Sequence, residues 1–228
     1  MGGMPKKGGA GGLALALAAL ALMPAAGRAE TFDYVVVLSF EADPDLPRYA
    51  HTFAAFVRAT GSGARPECYA VEAHTISWYP ASGEVRVARL CPECGVNLGL
   101  ADTLDRARRL GAHVSRRGPY RICPGLFERA RAQAARLRSG AVHYKVLDVE
   151  WRPTEATNCI HAIADLDTEG GLLRTGFAWG DEAGALVAWH LRRWMIDPDR
   201  RHDWVWDRLG LGGCPVAVQP WGRLPGGR

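Results

Sequence analysis

The order of the apolar segments most constrains the fold of this chain, because strand-like runs come first and helix-like runs follow them. The run from Phe32 to Phe40 is rich in β-branched and aromatic residues and predicts a buried strand. A second strand is predicted from His51 to Val57, and the prolines at positions 44 and 47 cannot continue a sheet ladder. The chain therefore begins with two strands joined by a loop.

Two further strands are predicted from Cys68 to Tyr79 and from Glu84 to Leu90. The turn between them, Pro80-Ala81-Ser82-Gly83, is short, so the two strands are expected to form an antiparallel hairpin.

Helix signals dominate the rest of the chain, which gives an α+β fold, a small antiparallel sheet packed with helices. No regular structure is predicted in the Trp-rich C-terminal extension after Pro198. The later predicted elements are a helix from Asp102 to Leu110, a helix from Gly125 to Arg138, a strand from Ala141 to Trp151, a helix that begins near Cys159, and a helix from Asp181 to about Met195.

The first 29 residues have the pattern of an export signal. Two lysines precede the uncharged apolar run from Leu13 to Met23, which is too short to span a bilayer, and the small residues Gly27 and Ala29 favour cleavage after Ala29. A retained N-terminal anchor is the alternative. We expect residues 30–228 to form a single domain that is exported, either periplasmic or extracellular.

Charge and hydropathy limit the possible partners. The net charge of +4 is small, and the chain has neither a basic run nor an aromatic-basic RNA motif, so no nucleic-acid partner is predicted. After residue 29 no segment is long and apolar enough to cross a membrane, so stable membrane insertion is not expected.

Six cysteines in an exported chain raise the question of disulfide bonds. If Cys159 is set aside, five cysteines remain, so either at least one more is unpaired or Cys159 is itself bridged and cannot be a nucleophile. Cys91 and Cys94 have the spacing of a redox pair or of half a zinc site, but no second pair of ligands follows at comparable spacing. A local staple or two plain thiols is the preferred interpretation, and no metal or cofactor is predicted.

Cys159 is the candidate nucleophile. Either Thr157 or Asn158 can cap the helix that begins there, which places the thiol in the first turn. Backbone N–H groups and the helix dipole favour a thiolate at such a position, so a lowered pKa is expected for Cys159. A buried cysteine that only fills space is the alternative explanation.

Two upstream histidines are candidate partners. His51 is favoured as the base, and His74 as the residue that orients it, although the two roles could be exchanged. Glu72 shares a strand face with His74 and is the alternative third residue. His161 is expected to be structural.

This order of motifs resembles the permuted papain-like thiol enzymes, which include the lecithin:retinol acyltransferase-like and NlpC-type proteins. The resemblance is carried by His51 to Val57, Ala73-His74, Tyr144-Lys145 and Asn158-Cys159-Ile160-His161. It implies a permuted papain-like fold in which His51 is the base, His74 orients it and Cys159 is the nucleophile.

The predicted function is that of a cysteine hydrolase or acyltransferase, which acts on an amide or ester bond through a Cys159 acyl-enzyme. The expected partner is a peptide, cell-wall or acyl substrate. The alternative is a non-catalytic binding or scaffold domain that keeps the papain-like shape. The sequence leaves the oligomeric state open.

Overall fold

Two small sheets and five α-helices form an α+β fold in the residues described by the computed structural model, which are 1–3, 29–148 and 155–220. The strands are β1 (Glu30–Glu41), β2 (Ala50–Gly61), β3 (Ala70–Ile76), β4 (Trp78–Pro80), β5 (Glu93–Asn97), β6 (His113–Ile122), β7 (His143–Tyr144), β8 (Ala156–Thr157) and β9 (Ala217–Val218). The helices are α1 (Leu100–Arg109), α2 (Pro124–Arg138), α3 (Cys159–Ala164), α4 (Gly180–His190) and α5 (Trp204–Arg208).

The first sheet has the order β3-β2-β1-β6-β9, and β1 lies at its centre. Strand β1 pairs antiparallel with β2 along its whole length, which confirms the two strands predicted at the start of the domain. Residues from Tyr34 to Phe40 are buried without alternation. A strand of this kind is covered on both faces.

Helices cover both faces of this sheet rather than one side of it. Helices α2, α3 and α4 pack against the face that carries Val35, Val37 and Phe56. The opposite face, with Leu38 and Phe53, packs against α1. The sheet is therefore the middle layer of the domain.

The predicted hairpin between Cys68–Tyr79 and Glu84–Leu90 is wrong. The first segment divides into β3, in the five-stranded sheet, and β4, in a second sheet of order β4-β5-β7-β8. Strand β4 pairs with β5, and residues 84–90 are irregular. Val85 is buried against the α1 side of the core, so it packs without pairing as a strand.

Strand β6 lies next to β1, although no strand was predicted between residues 111 and 123. The predicted helices in the C-terminal half are present with shifted ends: α1 begins at Leu100, and Trp179 rather than Asp181 precedes α4. The C-terminal extension, expected to be irregular, contains α5 and β9.

Two predictions fall largely or partly outside the described residues. The predicted export signal covers residues 1–29, of which 4–28 are outside them. The strand predicted from Ala141 to Trp151 is described only to residue 148, and it contains the two-residue β7. Within the described parts of the chain, no helix has both the length and the hydropathy needed to cross a membrane.

Candidate functional site

Cys159 is the first residue of α3, as the sequence predicted. Asn158 is the N-cap, and its side-chain oxygen accepts a hydrogen bond from the His161 N–H at 2.8 Å. This cap fixes the first turn of the helix and therefore the position of the thiol.

The thiol lies in an apolar cavity of about 130 Å³. Cys159 and His51 both line it, so the structure places the predicted nucleophile and the predicted base at the same cavity. Apolar side chains such as Val85, Val146 and Ile160 form much of the wall, and Phe177 at the lining is 92% exposed.

His51 can line the cavity because β3 ends before it reaches the start of β2. Strand β2 pairs with β3 only from Ala54 onward, so the start of β2 has no partner from β3. The backbone N–H of Thr52, the residue after His51, lies close enough to the Cys159 sulfur to lower its pKa. The Thr52 hydroxyl also donates to the Gly180 carbonyl oxygen at 3.2 Å, which ties the start of β2 to the segment that closes the cavity.

Burial raises the pKa of the Cys159 thiol to about 11. Hydrogen bonds from the backbone N–H groups of Thr52, Cys159 and Ile160 act in the opposite direction, and the negative charge of Asp148 adds to the effect of burial. The expected lowering of this pKa is therefore wrong, because desolvation of the thiolate outweighs the backbone donors of a helix that has only six residues.

His51 is enclosed by aromatic rings and is only 2% exposed. The ring centroids of Phe40, Phe53 and Tyr79 lie 5.4, 5.7 and 5.0 Å from that of His51. Burial, with a smaller contribution from the charge of Arg106, lowers the pKa of His51 to about 3. The resting site therefore contains a neutral thiol and a neutral imidazole at neutral pH.

The structure does not bring His74 to His51. His74 pairs across the sheet with Phe56, and its ring packs on Phe127 of α2, whereas the His51 ring packs on the other face. Phe56 lies five positions after His51 on β2, and strand residues an odd number of positions apart point to opposite faces. His74, which pairs with Phe56, is therefore on the face opposite to His51. Glu72 hydrogen-bonds to His74 at 3.0 Å, and neither of these residues lines the cavity. Both candidate third residues therefore lie away from the site.

Ser77 takes the position that had been assigned to His74. Its hydroxyl is 2.9 Å from the Nε2 atom of His51, and the Thr103 hydroxyl lies 2.8 Å from the same Ser77 oxygen. Ser77 follows the last residue of β3, where the chain leaves the first sheet. No local pattern marks this serine, because its contact with His51 depends on the change of sheet between β3 and β4.

A buried polar network supports the first turn of α3. The Asp148 carboxylate lies 2.8 Å from Nδ1 of His161 and accepts hydrogen bonds from the backbone N–H and the side chain of Asn158. Nε2 of His161 is 2.9 Å from the Leu173 carbonyl oxygen. His161 is therefore structural, as expected: it connects the N-cap of α3 to two loops.

All six cysteines are unpaired in the structure. Cys91 and Cys94 are both free and exposed, so the structure has no local staple between them. Cys159 therefore carries a free thiol.

No protein-family model matches this chain, and comparisons with curated proteins and with solved structures also give no match.

Proposed function

We propose that this protein is a thiol hydrolase or acyltransferase that forms an acyl-enzyme on Cys159. The observation that carries the proposal is that Cys159 and His51, separated by more than a hundred residues in the chain, line the same apolar cavity. The lining suits the apolar part of an acyl group, and the thiol at the wall suits attack on its carbonyl carbon.

In the proposed reaction, the Cys159 sulfur attacks the carbonyl carbon of an amide or ester, and the thiol proton passes to His51. The C–N or C–O bond then breaks, and the leaving group takes the proton from His51. Water hydrolyses the thioester in a hydrolase, whereas a second alcohol or amine accepts the acyl group in a transferase. The Thr52 N–H, which lies close to the sulfur, is a candidate donor to the developing oxyanion.

The two pKa values require the proton to move during the attack. A thiol with a pKa of about 11 and an imidazole with a pKa of about 3 do not form an ion pair before substrate binds. Ser77 holds the His51 ring by its Nε2 atom, which leaves the other ring nitrogen for proton transfer. Ser77 thus serves as the positioning residue of a permuted papain-like site in this proposal.

The predicted export of residues 30–228 makes cell-wall peptides one group of candidate substrates. The acyl-enzyme can be tested before the natural substrate is identified, by incubating the protein with 4-nitrophenyl hexanoate and mapping the acylated residue by mass spectrometry. We expect one acyl group on Cys159, no acylation in Cys159→Ala, and strongly reduced acylation in His51→Gln. The matched control is Cys123→Ala, which removes a partly exposed thiol outside the cavity lining and leaves Cys159 acylation unchanged.

A non-catalytic binding domain is the second candidate. It is favoured by the raised pKa of Cys159 and the lowered pKa of His51, which keep both groups neutral at rest. If the ester leaves Cys159 unmodified while hexanoate still binds to the cavity, the binding function is supported and the catalytic one is refuted.

A further inference from the structure

A second cleft, of about 740 Å³, adjoins the apolar cavity. The two share Pro47, Val85 and Val87 in their linings, so they lie next to each other on the same side of the molecule. A substrate that occupies the apolar cavity at Cys159 therefore has space to extend into this second cleft.

The second cleft is basic. Arg48, Arg86 and Arg106 line it together with one acidic residue, Glu84. Glu84 is paired with Arg86 at 2.7 Å. Within the part of the chain that the structure describes, neither Arg48 nor Arg106 forms an ion pair with a carboxylate, so the cleft has an excess of positive charge.

Two contacts orient the Arg106 guanidinium at the second cleft. Its guanidinium carbon lies 4.1 Å from the Tyr79 ring centroid, and its Nη2 donates to the Gly83 carbonyl oxygen. Its Nε is buried and has no hydrogen-bond partner. Tyr79 packs directly against the His51 ring, so a group bound to Arg106 would be close to the proposed base.

A guanidinium that has no carboxylate partner is well suited to bind an oxyanion. The planar fork of arginine matches carboxylate and phosphate oxygens, and an anion that binds Arg106 displaces no carboxylate from it. Arg48 adds a second positive charge, and its guanidinium stacks on Tyr49 at 4.7 Å. These contacts favour an anionic ligand over a neutral one of the same shape.

We infer that the substrate has two parts: a short apolar acyl group in the cavity beside Cys159, and a leaving group that carries a carboxylate or a phosphate in the basic cleft. The inference rests on the proposed function, because it assigns the two parts to the two sides of the bond that Cys159 attacks. A cavity of about 150 Å³ lined by aliphatic side chains binds benzene. The cavity of about 130 Å³ therefore suits an acyl group with about six heavy atoms.

The test uses binding alone, in the Cys159→Ala protein, so that no acyl transfer interferes. The ligands are N-hexanoyl-glutamate, N-hexanoyl-phosphoserine and the neutral N-hexanoyl-glutamine amide, measured by isothermal titration calorimetry. We expect at least one anionic ligand to bind about ten- to hundredfold more tightly than the neutral one, as is typical of a charge-assisted hydrogen bond. The tighter of the two anions identifies the chemistry of the leaving group.

Arginine variants locate the effect. Arg106→Gln and Arg48→Gln should each reduce the preference for the anion, and the exposed position of Arg48 makes the second variant safe for folding. The matched control is Arg108→Gln, which removes an exposed arginine from the same helix outside the cleft lining and keeps the full preference. Equal binding of all three ligands, or a preference that both cleft variants retain, would overturn the inference.

The outcomes also separate the two proposals. If the anionic ligands bind more tightly through Arg106 but 4-nitrophenyl hexanoate never acylates Cys159, the basic cleft stands and the thiol chemistry fails. If Cys159 is acylated but the three ligands bind equally, the chemistry stands and the anionic leaving group is refuted.

Discussion

The pKa of about 11 predicts that Cys159 is a slow nucleophile towards simple reagents, although it is a free thiol at a cavity. Alkylating agents react with the thiolate, so the rate follows the ionised fraction. At pH 7 a thiol with this pKa is ionised in about one molecule in 10⁴, whereas a free cysteine with a pKa of about 8.5 is ionised in about 3%. Ionisation alone should therefore make Cys159 about 300-fold slower.

The pH dependence is the sharper part of this prediction. The thiolate fraction of Cys159 should rise about tenfold for each pH unit between pH 7 and 10, because the whole range lies below its pKa. A cysteine in a short reference peptide, with a pKa of about 8.5, should instead level off above about pH 8.5. The two thiols therefore approach each other in rate as the pH increases.

The assay is timed alkylation with iodoacetamide in the folded protein, followed by peptide mapping of each cysteine. Cys68 and Cys91 are internal controls that experience the same reagent and the same pH. If Cys159 reacts at pH 7 as fast as these two, or if its rate levels off near neutral pH, its thiol is not the desolvated neutral group described here. Such a result would favour a thiolate that is paired with His51 before substrate binds.

Three further predictions concern stability and are measured by urea denaturation. Folding lowers the pKa of His51 from its usual 6.5 to about 3, so the unfolded chain binds the proton more readily. The free energy of unfolding should therefore fall as the pH drops below about 6.5, by about 3 kcal/mol at pH 4. In His51→Gln this pH dependence should be absent. Asp148→Ala leaves the buried His161 without its carboxylate and should cost about 3–5 kcal/mol, whereas Asp105→Ala, in an exposed ion pair, should cost at most about 1 kcal/mol. Gly95→Ala places a methyl group against the Trp78 ring and should cost about 1–3 kcal/mol, whereas Gly213→Ala enters open space and should change stability by less than about 0.5 kcal/mol.

The parts of the fold that could be predicted from sequence are those in which local pattern and burial agree. Strand β1 is a run of apolar β-forming residues, and it is buried on both faces. Pro124 is the first residue of α2, where its missing N–H has no cost, and Gly140 follows the end of that helix with a positive φ of 78°. These signals act within a few residues and do not depend on distant partners.

Strand β6 could not be predicted in this way, because distant residues determine its burial. It contains Arg116 and Arg117, which are 6% and 5% exposed although they are charged. Asp203 pairs with the first at 2.9 Å, and Asp181 pairs with the second at 2.9 Å. The aspartates that pair with these arginines are far away in the sequence. Without them, the two arginines make the segment look like an exposed polar stretch and not like a buried strand.

The candidate site likewise has residues that local sequence predicted and residues whose roles depend on distant contacts. Asn158 and Cys159 were predicted together because a cap and the first turn it precedes are local features. That His51 and Cys159 line one cavity depends on packing between distant parts of the chain, and only the order of the motifs suggested it. His74 was predicted to orient His51, and Ser77 was not considered, because the contact depends on which face each side chain occupies and on where the chain changes sheet.

The same burial that brings Cys159 and His51 to one cavity also makes both of them neutral. Opening the site to water would lower the thiol pKa, but it would also remove the apolar wall that selects an acyl group. A substrate that brings its own negative charge to Arg106 would offset the smaller cause of the lowered pKa of His51, whereas burial, the larger cause, would remain. An anionic leaving group would therefore make His51 a stronger base when the carbonyl carbon is in place. Under the proposed function, the reactivity of Cys159 would then depend on the substrate, and a thiol that reacts slowly at rest would react faster with an anionic substrate.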